Sequence, residues 1–344
     1  MSERIPNVLR YRGQVLRPFV TLAVFCAAFA LLPAYTTGEV GTANVFNVLE
    51  NFSGVGLVAL ALGLTMLIGE YDLSVSSSYL LGGMLAVKTG VSSPVVGVLV
   101  AVAVGLLVGF IQGFLVAKLR MSSMPVTLGG FIALLGLDYV ISNSKSISYS
   151  NFEVGLSLNE PIASIFCARS FIAIGIFLLA AAVFSFTWLG RDARAVGSDR
   201  AASRTAGVRV DQIIIGVFMS SAALASFSGA LLSYSLAYAT PNRTVAPLIF
   251  ATTAALLGGI SLSGGRGTPL GIAAGVISLS MLNEALAITA SPAYVTALVT
   301  GGLLVIVTVI DAPNLVRWWK TAKARRGSLL TGWKGASTMR ARDR

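Results

Sequence analysis

Ten stretches of apolar residues, separated by short polar segments, limit what this chain can become. They run over 16–35, 52–69, 75–91, 95–117, 126–142, 171–189, 213–236, 245–260, 269–288 and 294–310. A helix needs about 20 apolar residues to cross the hydrocarbon core of a bilayer. Most of the blocks reach or approach that length, and the eighth is the shortest. The pattern predicts an all-α polytopic membrane helix bundle with about ten transmembrane helices.

The charges agree with this reading. Only 11% of residues are charged, against about a quarter in a soluble domain, so the chain has too little polar surface to face water on all sides. The net charge of +11 does not point to nucleic acid, because the basic residues sit between the blocks and in the two ends. With an N-in, C-in orientation and alternating spans, twenty-one of the 25 Lys and Arg residues fall on the cytoplasmic side. Lys88, Lys145, Arg169 and Arg243 fall outside. Such asymmetry is the positive-inside pattern. The expected division is a basic leader over 1–15, a transmembrane domain over 16–311 and a basic cytoplasmic tail over 312–344. The first block lacks an A-x-A cleavage motif after it and is read as an uncleaved helix.

The chain has no His, which removes the commonest metal ligand and general base. Cys26 lies in an apolar block and Cys167 in a loop, so neither a disulfide nor a metal centre is expected. No cofactor and no catalytic residues are expected either.

Three segments carry functional weight. The inside loop 190–212 contains a short helix. Ser198 or Asp199 is suited to cap it, Ala201 and Ala202 favour it, and Gly207 suits the position after its end. Arg200 and Arg204 lie one turn apart. The loop is either an orienting basic loop or a helix that docks into a partner, with Arg191, Asp199, Arg200, Ala201, Ala202, Arg204 and Gly207 at the contact. The segment 69–76 places Glu70, Asp72 and Ser74 between two spans. It reads either as a polar turn with Asp72 capping the next helix or as a helix break lining a polar path. The segment 257–267 is rich in glycine, at Gly258, Gly259, Gly264, Gly265 and Gly267, which lets the backbone turn sharply. It lacks the Lys-Ser/Thr ending of a Walker A loop, and the rest of the chain has no such loop.

Two further patterns concern packing. Gly97, Ala101, Gly105, Gly109, Gly113 and Ala117 recur every four residues and predict one close-packing stripe on a helix. Residues 67–74 also echo residues 256–263, pairing Gly69 with Gly258, as an internal repeat of a transporter would.

Together the three segments resemble the permease subunits of ABC importers in the ribose/xylose/galactose branch, with a more distant likeness to branched-chain amino acid permeases. The family's G-x-D-L-S-V-G-S stretch is similar to residues 70–76. Its inside loop is matched at Gly190, Arg191, Ala195, Gly197, Ala201, Ala202, Gly207 and Val208. Its L-G-G-x-S-L-x-G-G-x-G run is matched throughout 257–267. The chain departs from the family at Glu70, which replaces a Gly, at Asp199, which replaces an Asn, and at Glu284, which replaces the second Asn of an L-N-N-G-L run.

The resemblance implies an ATP-binding cassette ATPase partner, a periplasmic solute-binding protein and a second permease chain, identical or not. It also implies an inner (plasma) membrane location among lipids, and coupling through 190–208. The solute is expected to be a sugar or related polyol, with amino acids, nucleosides or sugar-like signals as alternatives. Two acids fall inside spans, Asp138 and Glu284. Each reads either as a hydrogen-bonded structural acid or as a lining of the solute path, the latter together with Asn283. A secondary transporter using Asp138 and Glu284 as titrating carriers is the competing class.

Overall fold

The computed structural model describes residues 7–31, 40–241 and 245–311, with side chains from Leu16 onward in the first stretch. The end of the first apolar block, Arg243, the leader's side chains and the basic tail lie outside the described residues. The bundle is all-α apart from one small ribbon. Its helices are α1 (Asn7–Leu31), α2 (Thr42–Leu67), α3 (Val75–Thr89), α4 (Pro94–Ala117), α5 (Ser123–Ser142), α6 (Phe152–Asn159) and α7 (Ala168–Phe186). They continue as α8 (Trp188–Ser198), α9 (Arg200–Thr205), α10 (Val210–Leu236), α11 (Ala246–Leu257), α12 (Pro269–Ile288) and α13 (Ala293–Asp311).

Each predicted block falls on a helix, but the helices differ in reach. Seven are long and apolar enough to cross a membrane: α2, α4, α5, α7, α10, α12 and α13. The apolar part of α1, Leu16–Leu31, and α11 are shorter, and α3 has 15 residues. The outward faces are apolar: Phe186 is 89% exposed, Val140 73% and Leu298 70%. Exposed apolar surface on this scale is what lipid covers.

The bundle is built around α10, which packs against α2, α3 and α4. The glycine stripe of α4 makes this possible. Gly97, Ala101, Gly105, Gly109, Gly113 and Ala117 are all buried. A Cβ on Gly109 would run into the Phe218 carbonyl, and one on Gly105 would meet Ala222 and Ser226. The two backbones therefore touch, which gains dispersion contacts where lipid supplies no hydrophobic drive. The contact of α3 with α10 is of the same kind, since a Cβ on Gly229 would strike the Tyr79 carbonyl.

The segment between α5 and α7 holds α6 and one strand of a ribbon the sequence did not foretell. β1 (Ile147–Ser148) pairs antiparallel with β2 (Tyr238–Ala239). Tyr149 follows β1 and donates its hydroxyl to the Gly90 carbonyl at 3.0 Å. Its ring rests on Tyr234 with centroids 4.6 Å apart. The two tyrosines tie this connection to the ends of α3 and α10.

The packing stripe yields a direct test. Gly109→Ala should destabilise the protein by about 1–3 kcal/mol, the usual cost of overpacking. Gly129→Ala, where nothing lies within 4 Å of the new methyl, should be neutral or slightly stabilising. Thermal melting in detergent reads both, and equal midpoints would contradict the packing assigned to α4.

Candidate functional site

The three segments singled out by sequence meet at one end of the bundle. The chain leaves α2 through a Schellman motif. The N–H of Gly69 bonds Met66 O at 3.0 Å and that of Glu70 bonds Thr65 O at 3.0 Å. Gly69 has φ +75°, which a residue with Cβ resists. α11 ends the same way, with Gly259 N–H on Leu256 O and Ile260 N–H on Ala255 O, both 3.0 Å. The hydrogen bonds thus pair Gly69 with Gly259. The sequence echo had set it against Gly258, one residue out of register.

The two breaks then join. Gly265 N–H donates to the Leu67 carbonyl at 2.8 Å. Gly197, at the end of α8, lies between them, and a Cβ there would strike the Leu67 carbonyl. A Cβ on Gly264 would collide with Gly69 and Gly197, and one on Gly265 with Ser198. So the end of α2, the end of α8 and the glycine-rich turn 258–268 form one junction. Asp311, at the end of α13, anchors the turn by accepting from Ser261 Oγ and Leu262 N–H, each at 3.1 Å.

The loop 190–212 holds two helices rather than one. Asp199 caps α9, accepting from Ala202 N–H at 3.0 Å. The Schellman bonds of Gly207 N–H to Arg204 O and Val208 N–H to Ser203 O close it. The two arginines of α9 take different partners. Arg200 donates to Glu70 and lies 3.4 Å from the Ile68 carbonyl. Arg204 donates to Asp211 at 2.7 Å, and Asp211 also pairs with Lys118 at 3.4 Å. α9 is thereby fastened to the break after α2 and to the end of α4. Its outer side remains exposed, with Ala201, Ala202, Arg204, Thr205 and Ala206, and Arg191 of α8 is exposed as well.

The acids and polar residues expected along a path separate into groups. Glu70 belongs to the junction through Arg200. Asp72 is buried beneath it and makes an Asx turn into α3, accepting from Ser74 N–H at 2.9 Å and Ser74 Oγ at 2.6 Å. Ser74 Oγ lies 2.9 Å from Gln112 Oε1 on α4. Asp138 is buried on α5, which packs on α3 and α4, and neither of its oxygens has a partner among the described residues.

Glu284 sits with α2 instead. Its Oε1 accepts from both Asn44 and Asn47 side chains at 2.9 Å. Asn283 Oδ1, beside it, is buried without a partner among the described residues. Asp138 and Glu284 therefore occupy separate helix groups and do not form a pair.

Sequence reasoning missed the rest of this second group. Arg169, expected in an exposed connection, is 1% exposed in the first turn of α7 and donates to Glu50 of α2 at 2.6 Å. Two of its nitrogens, Nε and Nη1, are buried without a partner among the described residues. α2, α7 and α12 pack on one another, so Asn44, Asn47, Glu50, Arg169, Asn283 and Glu284 form a polar cluster at the opposite end from the junction. The available signal was the spacing of Asn44, Asn47 and Glu50, three residues apart ahead of the second apolar block. α2 starts at Thr42 and carries them on one face.

Apolar outward faces and two helices that end against each other inside the bundle fit a membrane transport protein, and relatives of known class agree. The family described as branched-chain amino acid transport system / permease component matches residues 44–308, and the chain belongs to it. It is a multi-pass protein of the inner membrane. It is 30% identical over 88% of its length to the L-arabinose ABC transporter permease protein AraH of Azospirillum brasilense, covering 90% of that protein. It is 29% identical over 87% of its length to the ribose import permease protein RbsC of Bacillus subtilis, covering 92% of it. The autoinducer 2 import system permease protein LsrC of Enterobacter is 32% identical, with 84% of each chain covered. No solved structure matches the chain.

The Glu284 cluster predicts a split between two substitutions. Glu284→Ala leaves two amide donors unpaired and should lower the melting midpoint and solute uptake together, the unpaired groups costing about 1–3 kcal/mol. Glu284→Gln keeps an acceptor and should retain most of the stability. Equal melting of all three proteins would remove Glu284 from any hydrogen-bonded role.

Proposed function

We propose that this chain is the solute-conducting subunit of an ATP-driven sugar importer. It spans the membrane about ten times, with both ends in the cytoplasm and a permease domain over 16–311. The names of the arabinose, ribose and autoinducer 2 permeases support a sugar or a sugar-like solute. A periplasmic binding protein delivers it to the end carrying Glu284, and a cassette ATPase engages the junction end. Two permease chains, identical or not, complete the conduit.

The observation that carries this reading is the junction. Accumulating a solute tenfold requires about 1.4 kcal/mol, and the chain has no nucleotide-binding loop to supply it. In this reading the work arrives from a partner through an exposed element linked to the transmembrane helices. α9 meets both conditions. It is exposed on one side, and through Arg200 it is bonded to the break between α2 and α3. Ala201 and Ala202 leave a low surface on which a partner can close, with Arg191 and Arg204 at its margin. The inside location of this end is supported by the basic residues clustered there.

The hydroxyl-rich character of a sugar fits the opposite end. Carboxylate and amide oxygens of Glu50, Asn283 and Glu284 accept hydrogen bonds, and Arg169 and the two α2 amides donate them. Asp72 and Ser74 form a second buried polar group with Gln112 of α4, and Asp138 is a separate buried acid on α5.

Vesicles containing the permease, its ATPase and its binding protein test this. Arg200→Glu should cut ATP-dependent uptake about tenfold or more. The double change Glu70→Arg with Arg200→Glu should recover a large part of it. Uptake driven by a proton gradient without the ATPase would overturn the proposal in favour of a secondary transporter.

A further inference from the structure

On the far side of the glycine-rich turn from α9 lies a cavity of about 520 Å³, a size that suits a small-molecule ligand. It is bounded by α1, the end of α8, the turn and α13. Three arginines line it, Arg17, Arg194 and Arg266, against one carboxylate, Asp311. That carboxylate is already engaged by Ser261 Oγ and Leu262 N–H. The arginines are less well satisfied. Arg194 donates through Nη2 to the Phe184 carbonyl at 2.8 Å, while its Nε is buried without a partner among the described residues. Among those residues neither Arg17 nor Arg266 has an ion-pair partner. The cavity thus presents unneutralised positive charge, which sets an anion as its occupant.

The remaining walls narrow the choice. Phe25 of α1 and Leu303, Ile306 and Ile310 of α13 face the same space. Outside it, α1 exposes Phe19, Val20 and Val24, and α13 exposes Val305 and Val309. A charged recess that opens between two lipid-facing apolar helices fits a molecule with an anionic head and hydrocarbon tails. We propose that this cavity binds the phosphate of an anionic phospholipid from the leaflet bordering the junction, with its acyl chains along α1 and α13. The head would bridge α1, α8 and the turn. Gly265 and Ser198, which line the cavity, also belong to the junction, so an occupied site would stiffen the element to which α9 is attached.

The test uses the full-length permease alone, in detergent, and reads the melting midpoint. Its outcome is therefore independent of which solute is carried or what drives transport. Phosphatidylglycerol, phosphatidylcholine, inorganic phosphate and glycerol 3-phosphate are titrated separately. A saturable rise in midpoint with phosphatidylglycerol, absent with phosphatidylcholine, is expected. Arg17→Gln together with Arg266→Gln should weaken the apparent affinity about tenfold or more. Arg209→Gln, an exposed arginine outside the cavity, should leave it unchanged. Equal responses to the two lipids, an undiminished response in the double variant, or an equal loss in Arg209→Gln would overturn the proposal. A rise with inorganic phosphate or glycerol 3-phosphate as large as that with phosphatidylglycerol would overturn the lipid and identify a soluble phosphate ester. The two arginines are exposed, so the double variant should fold. Its own melting curve without lipid verifies that.

Discussion

A backbone carbonyl or N–H left unpaired within a bilayer costs several kcal/mol, so a helix can break there only where other protein closes over the break. The same cost applies wherever a helix ends away from water, and here protein closes over the ends of α2 and α11. α2 and α11 both end by turning through glycines with positive φ, at Gly69 and Gly259. Each satisfies its last carbonyls locally. The carbonyl of Leu67 is reached by Gly265 N–H from the other break. Two interruptions that would each be costly alone become one bonded unit. The unit tolerates no side chains at Gly197, Gly264 or Gly265, because backbone occupies the space a Cβ would need.

Around this junction the molecule divides into parts of unequal rigidity. The α3–α4–α10 seam is a contact of backbones through Gly82, Gly105, Gly109 and Gly229, with no slack to move. The two ends are instead held by ion pairs with partial exposure. Arg200 bridges to Glu70, Arg204 and Lys118 share Asp211, and Arg169 reaches Glu50. The pairs on Asp211 are part-exposed and contribute little each, often about 0–1 kcal/mol. Arg169 and Glu70 are nearly buried, and leaving either without its partner costs about 3–5 kcal/mol, so these two pairs hold the ends firmly while the Asp211 pairs can exchange.

Much of this was legible from composition and spacing, and the reasons are physical. Apolar length and the four-residue stripe of α4 are local, one-dimensional signals, and each block became a helix. Asp199 and Gly207 were readable because capping needs only neighbours in sequence. What could not be read depends on partners far along the chain. Asn44 and Asn47 meet Glu284 across 240 and 237 residues, and Arg169 meets Glu50 across 119. The β1–β2 pairing joins segments of two residues each, too short to carry any alternation. The internal echo was seen but set one residue off, because letters were matched where the Schellman hydrogen bonds decide the register.

The acids mark where this permease departs from its family, and their surroundings give them different roles. Glu70 stands where the family resemblance has glycine, just after the αL residue that ends α2. A side chain at that point leaves the helix axis and can reach α9, where it meets Arg200. Arg200 also lies close to the Ile68 carbonyl, so the guanidinium binds the break by both backbone and carboxylate. Glu70 is thus consumed in fastening the junction and has little left to offer a passing solute. Glu284 is held differently: both amide donors converge on Oε1, and Oδ1 of the neighbouring Asn283 is buried without a partner among the described residues. Of the three acids that replace family residues, Glu70 is engaged by Arg200 and Asp199 caps α9, both at the junction, while Glu284 stands in the polar cluster at the opposite end.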